Sequence, residues 1–103
     1  MKILSRTSDT GNYAYTYFYY KDDNGYTRFH NENDLPARIH TEFVEFSWQE
    51  WYEYGKLHRL TGPAFIRNDG RKIWSIRGKQ IGRSEDGYTK EQFEQYKKLI
   101  AFL

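Results

Sequence analysis

The chain repeats itself, and the repeat limits what it can fold into more than any other feature does. Phe29-His30 followed by Leu35-Pro36-Ala37-Arg38-Ile39 aligns with Leu57-His58 followed by Gly62-Pro63-Ala64-Phe65-Ile66, the gap differing by one residue. Pro36 and Pro63 are 27 positions apart, the length of a supersecondary unit. A third, partial unit, Ile73-Trp74-Ser75-Ile76-Arg77-Gly78-Lys79, parallels Trp51-Tyr52-Glu53-Tyr54-Gly55-Lys56, with a tryptophan-bearing strand, Gly and Lys in the same order. One hairpin cannot bury its apolar face, whereas stacked hairpins can. The repeat therefore predicts a row of stacked hairpins.

Strand signals fill the units. Residues 13–20, Tyr-Ala-Tyr-Thr-Tyr-Phe-Tyr-Tyr, are rich in rings that favour extended backbone. Asn24-Gly25 then suits a type I′ turn, which needs positive φ at both central positions, and residues 26–30 return as a second strand. Residues 37–43 alternate, with Ala37, Ile39, Thr41 and Phe43 on one face and Arg38, His40 and Glu42 on the other. Further strands are predicted at 50–54, with Gly55-Lys56 as the turn, at 63–67, where Pro63 takes the first position and needs no donor, and at 72–76. Asn68-Asp69-Gly70 reads as the hairpin turn between the last two. Near the C-terminus the period changes. Thr89-Lys-Glu-Gln92 is a capping box, and Phe93, Tyr96, Leu99, Ile100 and Leu103 follow at helical spacing. Lys97 and Lys98 suit the negative end of a helix dipole, so a helix is predicted over about 90–102. The expected fold is mainly β (α+β): a single domain over 1–103, an antiparallel meander of roughly five to seven strands in repeated hairpins over 13–83, and one C-terminal α-helix within 89–103.

Composition narrows the function classes. Hydrophobic residues are 38% of the 103, and half of them are rings: ten Tyr, seven Phe and three Trp. The chain is too aromatic to be disordered. Its net charge of +2, from 16 basic and 14 acidic residues, excludes both a polyanionic mimic and a basic nucleic-acid arm. The apolar run at 13–20 is too short to span a bilayer. Without cysteine there is no disulfide framework and no thiolate chemistry. Met-Lys-Ile-Leu-Ser at the start runs into polar residues rather than the long apolar segment of a signal peptide, so an unprocessed, cytoplasmic protein that does not engage membranes is expected.

Trp51-Tyr-Glu-Tyr-Gly-Lys-Leu-His-Arg59, then Gly62-Pro63-Ala64, Asp69-Gly70 and Trp74, resemble the W-Y-x-x-G-x-L-H-R-x-x-G-P-A repeats of small proteins of tailed bacteriophages and giant viruses. Those repeats are distantly like membrane-occupation-and-recognition-type β-hairpin repeats. A closing W-x-x-x-G-K unit followed by a short helix, here Trp74 to Lys79 and Thr89 to Phe93, is a familiar ending among them. The resemblance is good over 51–74, partial over 29–39 and absent over the first twenty residues. Ile81-Gly82 stand where a repeat would have His-Arg, so the third unit has lost its motif or serves as a cap. The resemblance implies stacked hairpins and a viral, phage-encoded source. It carries no shared activity and no transferable catalytic residue.

Catalytic and metal signals are weak. There is no Gly-x-Ser-x-Gly elbow, Walker loop or His-Glu-x-x-His pattern. His30, His40 and His58 lack ligand spacing. His30 and His58 hold equivalent repeat positions, which predicts a structural role such as a ring nitrogen bonding a turn carbonyl. The expectation is a non-enzymatic protein without cofactor or metal. Charge is uneven along the chain: residues 1–54 carry nine acids and five bases, residues 55–103 eleven bases and five acids. Two binding surfaces follow. The first joins the tyrosines of the 13–20 strand to the ring cluster beyond it and is expected to meet a host protein through Tyr15, Tyr17, Tyr19, Phe46, Trp48, Glu50 and Glu53, rings rimmed by charge as interfaces are. The resemblance turns this into an inhibitor of a host protein or complex, anti-defence and anti-CRISPR-like in its concrete form, acting by steric blocking. The alternative is a single-stranded nucleic-acid platform over 55–83, with Arg59, Arg67, Arg71, Lys72, Arg77 and Lys79 contacting phosphates and Trp74 stacking on bases. Pairing with a second copy through an aromatic edge strand is a further option.

Overall fold

A computed structural model of the chain describes residues 1–42 and 46–101. Its strands are β1 (Leu4–Asp9), β2 (Tyr13–Lys21), β3 (Thr27–Phe29), β4 (Arg38–Glu42), β5 (Ser47–Glu50), β6 (Tyr52–Glu53), β7 (Lys56–Leu57), β8 (Phe65–Arg67), β9 (Lys72–Ile76) and β10 (Lys79–Arg83). A 3-10 turn at Ser84–Asp86 leads to helix α1 (Lys90–Ile100). Eight strands form one antiparallel sheet in the order β1-β2-β4-β5-β8-β9-β10, with β3 pairing β2; β6 and β7 form a separate two-stranded hairpin. The fold is thus mainly β, a meander-like sheet with one C-terminal helix, as the sequence predicts. Phe43, Phe102 and Leu103, which the strand and helix readings used, lie outside the described residues.

Hydrogen bonds show the repeat directly. Ala37 N–H donates to Glu50 O and Ala64 N–H to Ile73 O, both at 2.8 Å. Phe18 N–H donates to Ala37 O, and Trp51 N–H to Ala64 O. Asn31 N–H reaches Tyr52 O as Arg59 N–H reaches Ser75 O. Trp51 and Trp74, Tyr54 and Arg77, Gly55 and Gly78 therefore occupy the same places in successive units. The buried apolar residues among those described are Ala37, Trp51, Ala64, Trp74 and Phe93, so four of five are repeat positions. The two alanines are fully buried because a larger side chain there would push the next strand away.

The turns differ from expectation. Asn24 is not at positive φ; Gly25 alone is (φ 82°). Asp22 N–H donates to Tyr26 O and Gly25 N–H to Asp22 O, a type I turn closed by a glycine bulge. Gly70 closes the Asn68-Asp69 turn in the same way. The two-residue I′ turns are instead Tyr54-Gly55 (φ 51°, 79°) and Arg77-Gly78 (φ 51°, 82°). A non-glycine in the left-handed region costs roughly 1 kcal/mol, and each such residue is held by the preceding unit. Tyr54 N–H donates to His30 Nδ1 (3.0 Å) and Arg77 N–H to His58 Nδ1 (2.8 Å). The repeat histidines are thus structural, but they accept from a turn amide rather than donate to a turn carbonyl. The glycines also dock: Gly55 N–H donates to Phe29 O, and a Cβ at Gly55 would sit 3.1 Å from Arg28 Cδ.

β1, β5 apart from Glu50, β7 and β10 escape sequence reading. β1 is built of Ser, Arg, Thr and Asp after Leu4, of which only Thr7 is a favoured strand former, and it is exposed beyond Leu4. Its six pairings to β2, from Leu4↔Tyr19 to Asp9↔Ala14, hold it in place. β10 continues the third unit past the point where the motif is lost, with an irregularity between Gln80 and Gly82. The stretch read as one strand at 50–54 is broken at Trp51, where the chain leaves the main sheet for the β6–β7 hairpin.

The capping box of α1 is formed: Thr89 Oγ1 accepts from Gln92 N–H, and Gln92 Oε1 accepts from Thr89 N–H at 2.8 Å. Phe93 is fully buried, with its ring 6.4 Å from that of Trp74, and Lys97 Nζ donates to Leu60 O at 2.6 Å. Leu99, expected on the packed stripe, is 68% exposed; the docked side of the helix is set by Phe93, six residues and about 240° away.

Candidate functional site: an aromatic face of the sheet

Strand register decides which of the candidate residues meet. Side chains directly opposite in an antiparallel pair share a face. Tyr13, Tyr15 and Tyr17 of β2 oppose Glu42, His40 and Arg38 of β4. His40 and Arg38 in turn oppose Trp48 and Glu50 of β5, and Trp48 opposes Arg67 of β8. One face therefore gathers Tyr13, Tyr15, Tyr17, Tyr19, Arg38, His40, Trp48, Glu50 and Arg67. Phe46 joins it through the Arg67 guanidinium, 4.9 Å from its ring. Of the seven residues expected at a protein interface, Tyr15, Tyr17, Tyr19, Phe46, Trp48 and Glu50 come together. Glu53 does not: it lies on β6, its carboxylate 3.5 Å from His58 Nε2.

The face is ordered by ring contacts. Tyr13 stacks on His40 (5.4 Å, 20°) and His40 on Trp48 (4.0 Å, 14°), a three-ring stack that runs across three strands. Tyr15, Tyr17 and Tyr19 follow each other along β2 at 5.3–5.4 Å. Arg38 is the polar hub. Its Nε donates to Tyr15 Oη (2.9 Å), its guanidinium lies 4.8 Å from the Phe29 ring, and Nη1 is 3.8 Å from Glu50 Oε2. Tyr52 Oη donates to the same Glu50 oxygen at 2.9 Å. Burial works against the Arg38 charge, but the Glu50 carboxylate and the tyrosine hydroxyls more than offset it and raise its pKa. Burial, and then the Glu50 charge, pushes the Tyr52 hydroxyl up. Arg38 is thereby kept charged beside rings. His40 Nε2 is buried and makes no hydrogen bond among the described residues; a carboxylate oxygen of Glu42 is 3.4 Å away.

The rings of this face are not fully buried: Tyr13 is 41% exposed, and Tyr15, Tyr17, Tyr19 and Trp48 are half-buried, while the His40 and Glu50 side chains between them keep only 15% and 14% exposure. The molecule is a slab of 43 × 39 × 19 Å, too thin for a second layer over most of the sheet.

The basic stretch behaves differently. Arg59 is clamped on Asp34 (Nε–Oδ1 2.9 Å, Nη2–Oδ2 3.2 Å) and lies 3.9 Å over the Trp51 ring. Arg67 bonds Asp69, whose carboxyl that guanidinium and the Arg71 amide hold down at about 2. Arg71 pairs with Glu85 at 2.7 Å. Trp74, expected to offer a stacking surface to a base, is 3% exposed and sits in the core. Lys72, Arg77 and Lys79 are exposed, but Lys72 begins β9 and the other two flank the turn at its far end. The structure thus brings no ring and no row of free cations together along 55–83.

Among the described residues no group of three or more His, Asp or Glu side chains is placed to hold a metal ion, and no helix is long and apolar enough to cross a membrane. Arg38 and His40, central to the face, were not among the expected contact residues. Their alternation with Ile39 and Thr41 is visible in sequence, but only the register with Tyr15 and Trp48 shows what they face. Comparison of the chain with protein-family models, with curated proteins and with solved structures finds no match.

Proposed function

We propose that this chain is a non-enzymatic binding module that engages a protein partner through the aromatic face built on β2, β4 and β5. One observation carries the reading: a three-ring stack, three further tyrosines and an Arg38–Glu50 hub lie side by side on one face of a thin sheet, with the tyrosines and Trp48 left partly open to solvent. Rings with few rotatable bonds and fixed polar tips are what interface hot spots are made of. Satisfied polar groups between them can be covered without leaving a charge unpaired. The resemblance to phage hairpin-repeat proteins extends the proposal to an inhibitor that blocks a host protein or complex sterically in the host cytoplasm, anti-defence (anti-CRISPR-like) in its concrete form. The nucleic-acid alternative draws no comparable support, because Arg59, Arg67 and Arg71 are paired with carboxylates and its tryptophan is in the core.

The test is an affinity capture from host lysate with the full chain, beside Tyr17→Ala and Trp48→Ala variants of matched stability. A protein retained by the parent and lost with both variants is the expected result, as is expression of the chain protecting an infecting phage. Retention unchanged in both variants removes the face as the docking surface. Binding to single-stranded DNA or RNA that weakens steeply with salt would replace this reading with the alternative.

A further inference from the structure

A second site lies away from the aromatic face, between the loops of the first two repeat units. A cavity of about 390 Å³ opens there, lined among others by His30, Glu32, Asp34, Glu53, His58 and Arg59. Three carboxylates meet one guanidinium, and Arg59 is already spent on Asp34. Among the described residues neither Glu32 nor Glu53 is ion-paired to a Lys or Arg, although Lys56 stands opposite Glu53 across the β6–β7 pair; the ion-pair-range partners are His30 Nε2 at 3.9 Å and His58 Nε2 at 3.5 Å.

Those two histidines supply the independent observation. Their side chains are 5% and 9% exposed. In each, Nδ1 is the acceptor for the next unit's turn amide, so the neutral ring must carry its proton on Nε2. Neither Nε2–H makes a hydrogen bond among the described residues, and each lies on the cavity side beside a carboxylate. The rim is apolar: Leu35, Leu60 and Tyr54 are 55%, 49% and 56% exposed, and the Tyr54 ring, 4.8 Å from His30, keeps a free side.

We infer that this cavity takes the side chain of a lysine or arginine from an extended peptide segment of a partner. Its cationic head goes to Glu32 and Glu53, its alkyl stem lies against Leu35, Leu60 and Tyr54, and the backbone carbonyl beside it accepts from a histidine Nε2–H. One residue of this kind offers donors to both carboxylates and an acceptor to one of the two imidazoles. The cavity lining carries three carboxylates against one guanidinium, so it selects for its ligand by sign. The inference stands whether or not the aromatic face docks a protein.

The test is an NMR titration of the full-length, isotope-labelled chain with the blocked peptide acetyl-Gly-Lys-Gly-amide. Saturable shifts at Glu32, Glu53, Tyr54, His30 and His58 are expected, with the peptide carrying Nε-acetyl-lysine producing none. Glu53→Gln and Glu32→Gln, isosteric changes at exposed positions, each weaken the affinity about five-fold, while Tyr17→Ala leaves it unchanged. Equal shifts from the acetylated peptide, or no saturation with either, overturn the inference. Putrescine binding as tightly as the peptide overturns the assignment to a peptide and makes the ligand a free amine.

Discussion

Trp51 and Trp74 hold the same place in successive units, yet each is covered by a different device. Over Trp51 lies the guanidinium of Arg59, eight residues on, locked by Asp34 from the unit before; the indole N–H donates to Asp34 O at 3.0 Å. Over Trp74 the residue eight positions on is Gly82, and a Cβ there would overlap the Tyr88 ring. That ring, 5.3 Å from Trp74, takes the place of the arginine, and Phe93 of α1 closes the other side. The indole N–H of Trp74 is buried without an acceptor among the described residues. The loop that would supply one, residues 59–62, is a residue shorter than residues 31–35. An internal joint is closed by the repeat's own polar loop; the last joint, with no further unit to lean on, is closed by rings from a helix. The loss of His-Arg at Ile81-Gly82 is therefore a cap, with glycine opening the space that arginine would fill.

The largest effect expected from this difference comes from deleting the indoles. Trp51→Ala and Trp74→Ala should each cost about 3–5 kcal/mol, but only Trp74→Ala should release α1. Denaturant unfolding followed at once by tyrosine fluorescence and far-ultraviolet circular dichroism separates them. Trp51→Ala should keep its helical signal in the native baseline and Trp74→Ala should lose part of it. Equal loss of helix in both would show that the two joints are one cooperative unit.

Next in size is Gly82→Ala. A methyl there forces Tyr88 off Trp74, an overpacking cost of about 1–3 kcal/mol. Tyr88→Ala made in the same chain should relieve part of it, because the clash goes with the ring. If the double variant is less stable than the sum of the two single changes, the ring is not what Gly82 makes room for.

Much of this was legible in the sequence. The repeat, the hairpins and the helix with its Thr89–Gln92 box are local signals, read from spacing and capping chemistry. The Tyr17-bearing strand and Trp48 could be picked out as ring-rich segments outside the repeat. What stayed hidden depends on register or on distance. β1 has no propensity of its own and exists because β2 offers it an edge. The I′ turns at Tyr54-Gly55 and Arg77-Gly78 carry a large residue at positive φ, which no turn preference favours; a histidine 24 or 19 residues earlier supplies the reason. Arg38 and His40 looked like the solvent side of a strand until pairing placed them between Tyr15 and Trp48. Arg59 looked like a free cation until the loop at Asp34 folded over it.

The histidine ties come third, at about 1 kcal/mol each. His30→Ala and His58→Ala should lower stability and leave the chain folded. His30→Asn and His58→Asn should recover part of the loss, since Asn Oδ1 sits near the position of Nδ1 and accepts the same amide, while the corresponding Gln variants should not. Hydrogen exchange at Tyr54 N–H and Arg77 N–H reads each tie separately. Protection at Arg77 that survives His58→Ala would mean that the turn holds itself.

The smallest effect distinguishes the two tryptophans by pH. Arg59, and with it Thr61, holds the Asp34 carboxyl below the ordinary aspartate range, against the opposing effect of burial. A carboxyl whose folded pKa is depressed contributes stability above its unfolded pKa and loses it as pH falls through the folded value. Asp34 is partly exposed, so less than about 1 kcal/mol is at stake. Acidification should therefore loosen Arg59 from Trp51 and leave Trp74, which no carboxylate supports, unaffected. Comparing parent and Asp34→Asn isolates this carboxyl from the others that titrate. The stability gap between them should be constant near neutral pH and close in acid, with the accompanying red shift of emission confined to Trp51, read in a Trp48→Phe, Trp74→Phe background. A gap that persists after Asp34 is protonated would mean that the side chain acts through its hydrogen bonds to Arg59 and Thr61 rather than through its charge.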